Sequence, residues 1–377
     1  MREAMSLGEP ARVPVMCQLA IGHTLLQTRV HPVDFFLSND AYAEALLQVR
    51  ELYGFDGILL HKPGRDPEFG GLIAGIDRDA PTPRIALDGG AYIDCTRDDD
   101  PYLRGVALKR PASVAEIDPA DPLSWAPPDF VEWCRHKGTA NWRSPDDFPE
   151  YYYGAIDRVL AAAGAEVSVH GEVRAPLDHF LNIAGMEDGL IAMTTEPDDS
   201  AALMDAFTQF SVAWAVAQVR RGCHAIKISS PYAGAGFISR SMYGEWVVPY
   251  ERRVAEAVRA EGAFVYTHTC GAIGDRLDLL AESGVNGIET LDPPPLGTVD
   301  LAEAKRLLHG RLFIKGNIDP VNTLLRKTRD AARLDVVRAH ETGREGGQFI
   351  LSTACSVAPR TPRENVRLLA DCVHGRL

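Results

Sequence analysis

His268-Thr269-Cys270-Gly271 sets an imidazole and a thiol two residues apart at the end of an apolar run, GAFVYTHTC over 262–270. Alternate residues of an extended strand face the same way, so both side chains reach toward one point. A further thiol, Cys355, ends another such run, GQFILSTAC over 347–355. One imidazole with two thiolates suits a borderline-soft ion, Zn²⁺ above all. Three protein ligands leave a fourth position for water, substrate or a carboxylate, which is the pattern of a catalytic zinc rather than a structural one. Glu289, near the end of GVNGIETL over 284–291, is the carboxylate expected there as a displaceable fourth ligand. The alternative is a structural role, since buried cysteines are common in cores and a single histidine can be satisfied by backbone groups.

Other polar residues fall near the ends of similar runs. His170 and Glu172 alternate on one face of AEVSVHGEV over 165–173, where His170 is expected to act catalytically as a proton relay and Glu172 to contact substrate. A hydrogen-bonded pair at a barrel mouth is the alternative. Asn317 and Asp319 in GNIDP read as a substrate-orienting residue and a catalytic one, or as a turn cap. His61, followed by Lys62, stands where a substrate carboxylate or phosphate could be met, and Tyr232 in SPYAG lines the cleft or packs beside it.

The elements that must position these groups are eight apolar runs, at 11–20, 54–61, 165–173, 222–229, 262–270, 284–291, 311–318 and 347–355. Many are followed by a polar loop and an amphipathic stretch, the rhythm of βα units. Eight such units predict an α/β fold of the (β/α)₈ type, whose reactive groups gather at the C-terminal ends of the strands. The whole chain, 1–377, reads as a single barrel domain with an inserted segment near 83–153. PRIALDGGAYIDC over 83–95 predicts a hairpin about its Gly-Gly turn. The stretch 96–153 reads as an insertion or lid, in which Trp125, Trp133, Trp142, Tyr151, Tyr152 and Tyr153 cover the site or form a satellite core.

With 46% hydrophobic and 24% charged residues the composition is that of a globular protein, and disorder is excluded. A net charge of −13 opposes binding to nucleic acid or anionic membranes. The N-terminal residues lack a secretory signal and no run is long enough to span a bilayer, so a cytoplasmic protein is expected. Seven cysteines, an odd and scattered set, do not resemble a disulfide framework.

Several segments resemble the uroporphyrinogen decarboxylase superfamily, within it the zinc-dependent, corrinoid-linked branch of methylcobalamin:coenzyme M methyltransferase type. They are EVRAPLDHFLNIAGMEDGLIAMTTEP (172–197), ISSPYAGAGFIS with VVPYERRV (228–254), THTCGAIGDRLDLLAESGVNGIETLD (267–292), IKGNIDP (314–320) and ILSTACSVAPRTPRENV (350–366). The resemblance implies a barrel holding zinc through His268, Cys270 and Cys355. It implies transfer of a methyl group between a corrinoid, methylcobalamin, and a thiol or a methylated small substrate. Two features depart from the decarboxylases. The segment 14–29 has no Arg before Arg29, and His61-Lys62-Pro63 stands where they carry a Ser-Asp pair. No Asp-x-His-x-x-Gly cobalamin motif occurs, so the corrinoid is expected on a partner protein or as a co-substrate. The alternatives are a metal-dependent decarboxylase or lyase acting on a small carboxylated substrate, and a non-catalytic corrinoid-binding accessory protein.

Overall fold

The computed structural model describes residues 1–106, 110–125 and 142–377. Trp133, Cys134 and part of the expected 96–153 insertion lie outside them. Strand β1 (Gly57–Leu60) is followed by four short strands, β2 (Ile73–Asp77), β3 (Arg84–Leu87), β4 (Tyr92–Asp94) and β5 (Tyr102–Arg104), which form an antiparallel sheet of their own. Six longer-range strands complete the set: β6 (Ser168–Arg174), β7 (Ala225–Ser229), β8 (Phe264–Thr269), β9 (Gly287–Thr290), β10 (Phe313–Ile318) and β11 (Phe349–Thr353). With β1 they make a seven-stranded parallel sheet in the order β1-β6-β7-β8-β9-β10-β11. Each of these seven strands falls within, or one residue past, a run identified from the sequence.

The eighth run, 11–20, is extended but forms isolated bridges rather than a ladder, Val15 with Leu351 and Leu19 with Val357. It nevertheless spans the gap between the first and last strands. On one side Met16 N donates to Leu351 O (3.1 Å) and Leu351 N to Pro14 O (2.8 Å). On the other, Asp56 N donates to Val15 O at 2.8 Å. The Asp56 carboxylate accepts from Val15 N at 2.8 Å and takes both ends of the Arg12 guanidinium at 2.9 and 2.7 Å. The sheet thus curls round on itself, joined by backbone bonds and one two-pronged ion pair.

Two-residue periodicity sorts the strand residues into two separate apolar clusters. Ile58, Leu60, Val169, Ile226, Ile228, Val265, Ile288, Ile314 and Leu351 face outward into the main core beneath the helices. Met16, Leu59, Ala225, Tyr266, Phe313 and Ile350 face inward and plug the lower end of the barrel with Ala4 and Met5 of the N-terminal helix. Burial on both faces is why these strands read as continuous apolar runs. Next upward along β7, β9 and β10 the inward positions hold Lys227, Glu289 and Lys315, all at most 1% exposed. An apolar floor therefore gives way to a charged layer.

The antiparallel sheet starts at Ile73, ten residues before the predicted hairpin, so the excursion from the barrel begins soon after β1. β2 escaped the sequence reading because most of its residues are exposed and two-residue alternation is absent. Trp142, Phe148 and Tyr152 pack against one another and Phe148, Tyr152 and Tyr153 against Trp214, which lies on the long helix Pro197–Arg221; these rings form a satellite core. Among the described residues no helix is long and apolar enough to cross a membrane.

Candidate metal centre

Strand β8 points Tyr266 and then His268 into the barrel, and Cys270 follows just past its end. Gly271 turns the chain there with φ +77°, a left-handed conformation that favours glycine. Cys355 stands two residues past β11, three places from β8 in the sheet, and the curl of the sheet brings the two strand ends together. Cys270 Sγ lies 3.3 Å from His268 Nε2 and 3.8 Å from Cys355 Sγ, and Cys355 Sγ lies 4.0 Å from the same nitrogen. Zn–S bonds of about 2.3 Å and Zn–N bonds of about 2.0 Å at tetrahedral angles place the sulfurs about 3.8 Å apart and each sulfur about 3.5 Å from nitrogen. The three donors match that spacing within a few tenths of an ångström. They are the one such group of histidine, cysteine and carboxylate donors found among the described residues.

The surroundings favour the metal-binding form of two of the three donors, His268 and Cys355. Burial, with Lys227 adding to it, lowers the His268 pKa, which favours the neutral ring that can donate a lone pair. The two thiols are coupled. Cys355 ionises more readily than a free thiol chiefly because Cys270 hydrogen-bonds its thiolate, while Cys270, whose proton is shared with that thiolate, ionises less readily.

Glu289 lies at the other imidazole nitrogen, not beside the sulfurs. Its Oε2 sits 3.1 Å from His268 Nδ1 and 3.9 Å from Lys227 Nζ, and its Oε1 is in contact with Lys315 Nζ. Both oxygens of the carboxylate expected as a fourth ligand are thus engaged by these groups. Lys315 also donates to Ser352 Oγ at 3.3 Å. Burial lowers the Lys315 pKa to about 7, with Cys17 and Cys355 acting the other way and Lys227 adding to the lowering. Lys227 pairs with Glu172 at 2.9 Å and donates to Gln18 Oε1.

The carboxylate that does face the cysteine turn is Asp292, which sequence reasoning passed over. It is 4% exposed, its Oδ2 accepts from Gly271 N at 2.7 Å, and its Oδ1 has no hydrogen-bond partner. Burial raises its pKa to about 6, against the Gly271 N–H, which lowers it. The loop carrying it presses on the same turn: a Cβ on Gly297 would stand 2.3 Å from Asp292 O and 2.6 Å from Gly271 O. On the opposite side a Cβ on Gly234 would stand 2.4 Å from Cys270 O. Only glycine permits these approaches.

The remaining expected residues are dispersed. His170 pairs in register with Ala225, four residues below Ser229, the partner of His268, so it lies roughly 13 Å lower in the barrel. There the residue expected as a proton relay bridges Ser168 Oγ and Tyr266 OH at 2.8 and 3.1 Å, away from the three donors. Asp319 caps the turn of helix Pro320–Leu325, accepting from Val321 N, Asn322 N and Asn322 Nδ2. Asn317 donates to Leu291 O at 3.0 Å. His61 lies edge-on to Tyr42, and burial together with Lys62, Lys227 and Arg65 holds its pKa well below the usual histidine value. Tyr232 is half-buried and packs edge-on to Phe237 at the rim. The two interior lysines had a legible signal, since a charge inside AIKIS or FIKGN is foreign to a strand buried on both faces.

Relatives with the same core are found by sequence and by shape. Methylcobamide:CoM methyltransferase MtbA of Methanosarcina acetivorans is 28% identical over 218 residues, 58% of this chain and 61% of its own length. The chain thus spans about three-fifths of that relative. The methylated-thiol–coenzyme M methyltransferase of Methanosarcina mazei is 26% identical over 301 residues, 78% of this chain and 71% of its own. The uroporphyrinogen decarboxylase of Syntrophotalea carbinolica is 31% identical over 200 residues, 52% of each chain. A solved methyltransferase from Methanosarcina mazei superimposes with a TM-score of 0.73 at 19% identity over 99% of this chain and 96% of its own, which establishes the shared fold. The family model for uroporphyrinogen decarboxylase (URO-D) matches residues 125–376, the stretch that holds every strand from β6 to β11 and all three metal-ligand candidates, and the chain belongs to that family.

Proposed function

We propose that this chain is a zinc-dependent methyltransferase that moves a methyl group between a corrinoid, methylcobalamin, and a thiol or a methylated small substrate. The observation that carries the reading is the convergence of His268, Cys270 and Cys355 at tetrahedral spacing on a barrel mouth. The printed activities of the Methanosarcina relatives support it, and they name methylcobamide, methylated thiols and coenzyme M. Bound by these three residues, Zn²⁺ supplies Lewis acidity, which either holds an acceptor thiol as thiolate or polarises the heteroatom that leaves a methylated substrate.

The chain's own contribution is to prepare and restrict that position. His268, kept neutral by its buried setting, offers Nε2 beside the two sulfurs. The apolar floor of Met16, Leu59, Tyr266 and Phe313 closes the barrel from below, so substrate approaches from the strand ends. Asp292 holds the Cys270–Gly271 turn through Oδ2, and its Oδ1 has no hydrogen-bond partner. The corrinoid is taken to arrive on a partner protein or as a co-substrate, and the unpaired thiols suit the reducing cytoplasm.

The test joins metal analysis to methyl transfer. Purified protein should hold about one zinc per chain and lose it in His268→Ala, Cys270→Ala and Cys355→Ala variants. Under anaerobic conditions, methylcobalamin with a panel of thiols should show the spectral change of corrinoid demethylation. Full metal content in the His268 and Cys355 variants would sink the site. Metal bound normally but no demethylation with any thiol, and no methylation of reduced corrinoid by methyl thioethers, ethers or amines, would sink the reaction.

A further inference from the structure

We propose that Glu289 is a positioning residue for the metal, held by Lys315 and Lys227 so that it fixes the ring of His268 with Nδ1 protonated and Nε2 free to bind. The inference rests on the metal-site reading above and adds to it a chain of groups reaching from that site into the barrel interior.

The sheet itself assembles the chain. Glu289 is the register partner of His268 on β8 and of Lys315 on β10, so three adjacent strands set imidazole, carboxylate and ammonium side by side at one height. Lys227, from β7, stands 3.9 Å from the same carboxylate. All four side chains are at most 4% exposed, which leaves water little access to compete for their hydrogen bonds. An ionised carboxylate has acceptors only, and an ammonium has donors only. Lys315 therefore donates to Oε1, and Oε2 must accept the Nδ1 proton of His268. The proton is held at Nδ1, and the lone pair is left at Nε2, the nitrogen that lies 3.3 Å from Cys270 Sγ.

A carboxylate behind a ligating imidazole orients the ring and raises its basicity, and loss of such a partner weakens metal binding by about 10–100-fold. The lysines are the unusual part. They keep the carboxylate turned toward the ring and neutralise it in an interior where an unpaired charge is strongly disfavoured.

The experiment measures zinc affinity by competition with a chromophoric chelator and records the ligand-field spectrum of the Co²⁺-loaded protein, both without substrate. Glu289→Gln keeps the shape of the side chain but can turn either its oxygen or its NH₂ to Nδ1. It should bind zinc about 10–100-fold more weakly while the Co²⁺ spectrum keeps its tetrahedral thiolate character. Lys315→Met should weaken binding in the parent and add little in the Glu289→Gln background, because Lys315 acts through Glu289. Parent affinity in Glu289→Gln, a Co²⁺ spectrum showing that a metal-bound carboxylate has been lost, or a Lys315→Met effect that adds in full would each overturn the proposal. If Glu289→Gln fails to fold, the Lys315→Met affinity decides alone, and parent affinity there counts against it. Retention of metal by His268→Ala is a separate outcome: it removes the metal-site reading, and this inference with it.

Discussion

Gly297→Ala tests whether the loop after β9 shapes the metal turn. The added Cβ would meet Asp292 O at 2.3 Å, Asp292 Cβ at 2.6 Å and Gly271 O at 2.6 Å. Ordinary contact begins near 3.4 Å, and two of these three atoms belong to the backbone, so no rotamer change relieves them. The loop has to retreat by about an ångström, and overpacking of that kind costs about 1–3 kcal/mol. The retreat also pulls Asp292 Oδ2 from Gly271 N, now 2.7 Å apart, and a hydrogen bond to a charged group contributes about 1.5–3 kcal/mol. If that bond holds the Cys270 turn in its binding geometry, zinc affinity falls by about 10–100-fold. Chelator competition gives the affinity and a thermal melt of the metal-free protein gives the stability. Gly236→Ala is the control, because a Cβ there meets nothing within 4 Å, and it should leave both measurements unchanged. Parent affinity together with parent melting temperature in Gly297→Ala would refute the reasoning.

Other perturbations read other parts of the molecule. Asp56→Ala removes the carboxylate that joins Val15 N and Arg12 at the barrel closure, and a loss of about 1–2 kcal/mol is expected, the low end of the range because the pair is partly exposed. Urea denaturation measures it, and an unchanged midpoint counts against the role of that closure. Burial raises the Glu251 carboxyl from 4.5 to about 7, so between those values the folded protein keeps a proton that the unfolded chain has released. Its contribution is complete below pH 4.5 and is lost as pH rises toward 7, by roughly 3 kcal/mol. Glu251→Gln should match the parent near pH 4.5, exceed it in stability at pH 8, and flatten the slope between. A parent-like slope in the variant would assign the dependence to other groups.

How far the sequence reveals the site depends on which direction in the fold is asked about. A period of two tells which face of a strand a residue occupies, so His268 and Cys270 were legible as a pair, and Cys355 joined them once the strands were taken as one barrel. The same period is silent about height. His170 and Glu172 share a face, but His170 sits level with the apolar floor and Glu172 level with Lys227. Glu289 does lie beside His268, yet strand position could not say which imidazole nitrogen it meets. That depends on the register between β8 and β9 and on Lys315 drawing Oε1 away. Asp292 lies beyond the strand in a loop without periodicity, and Asp319 is held by its own local turn, a competition between capping and catalysis that the motif left open. The fold was more readable than the site because eight apolar runs each state their own identity, whereas a side chain's role is set by neighbours far away in sequence.

The joint between residues 13–20 and β11 bears on how the molecule comes to be made. Val15 and Leu351 meet across more than three hundred residues of intervening chain. Bringing the ends of a loop that long together carries an entropy term of about 5 kcal/mol, (3/2)RT ln n, before any contact returns it. In synthesis this segment precedes its partner by that length of chain, so Pro14 O, Met16 N, Gln18 O and Ala20 N wait without their partners until β11 and the residues after it have emerged. The ladder from β8 to β11, which carries His268 and Cys355, does not include this segment, so the two ends of the candidate site can come into register before the ring is joined.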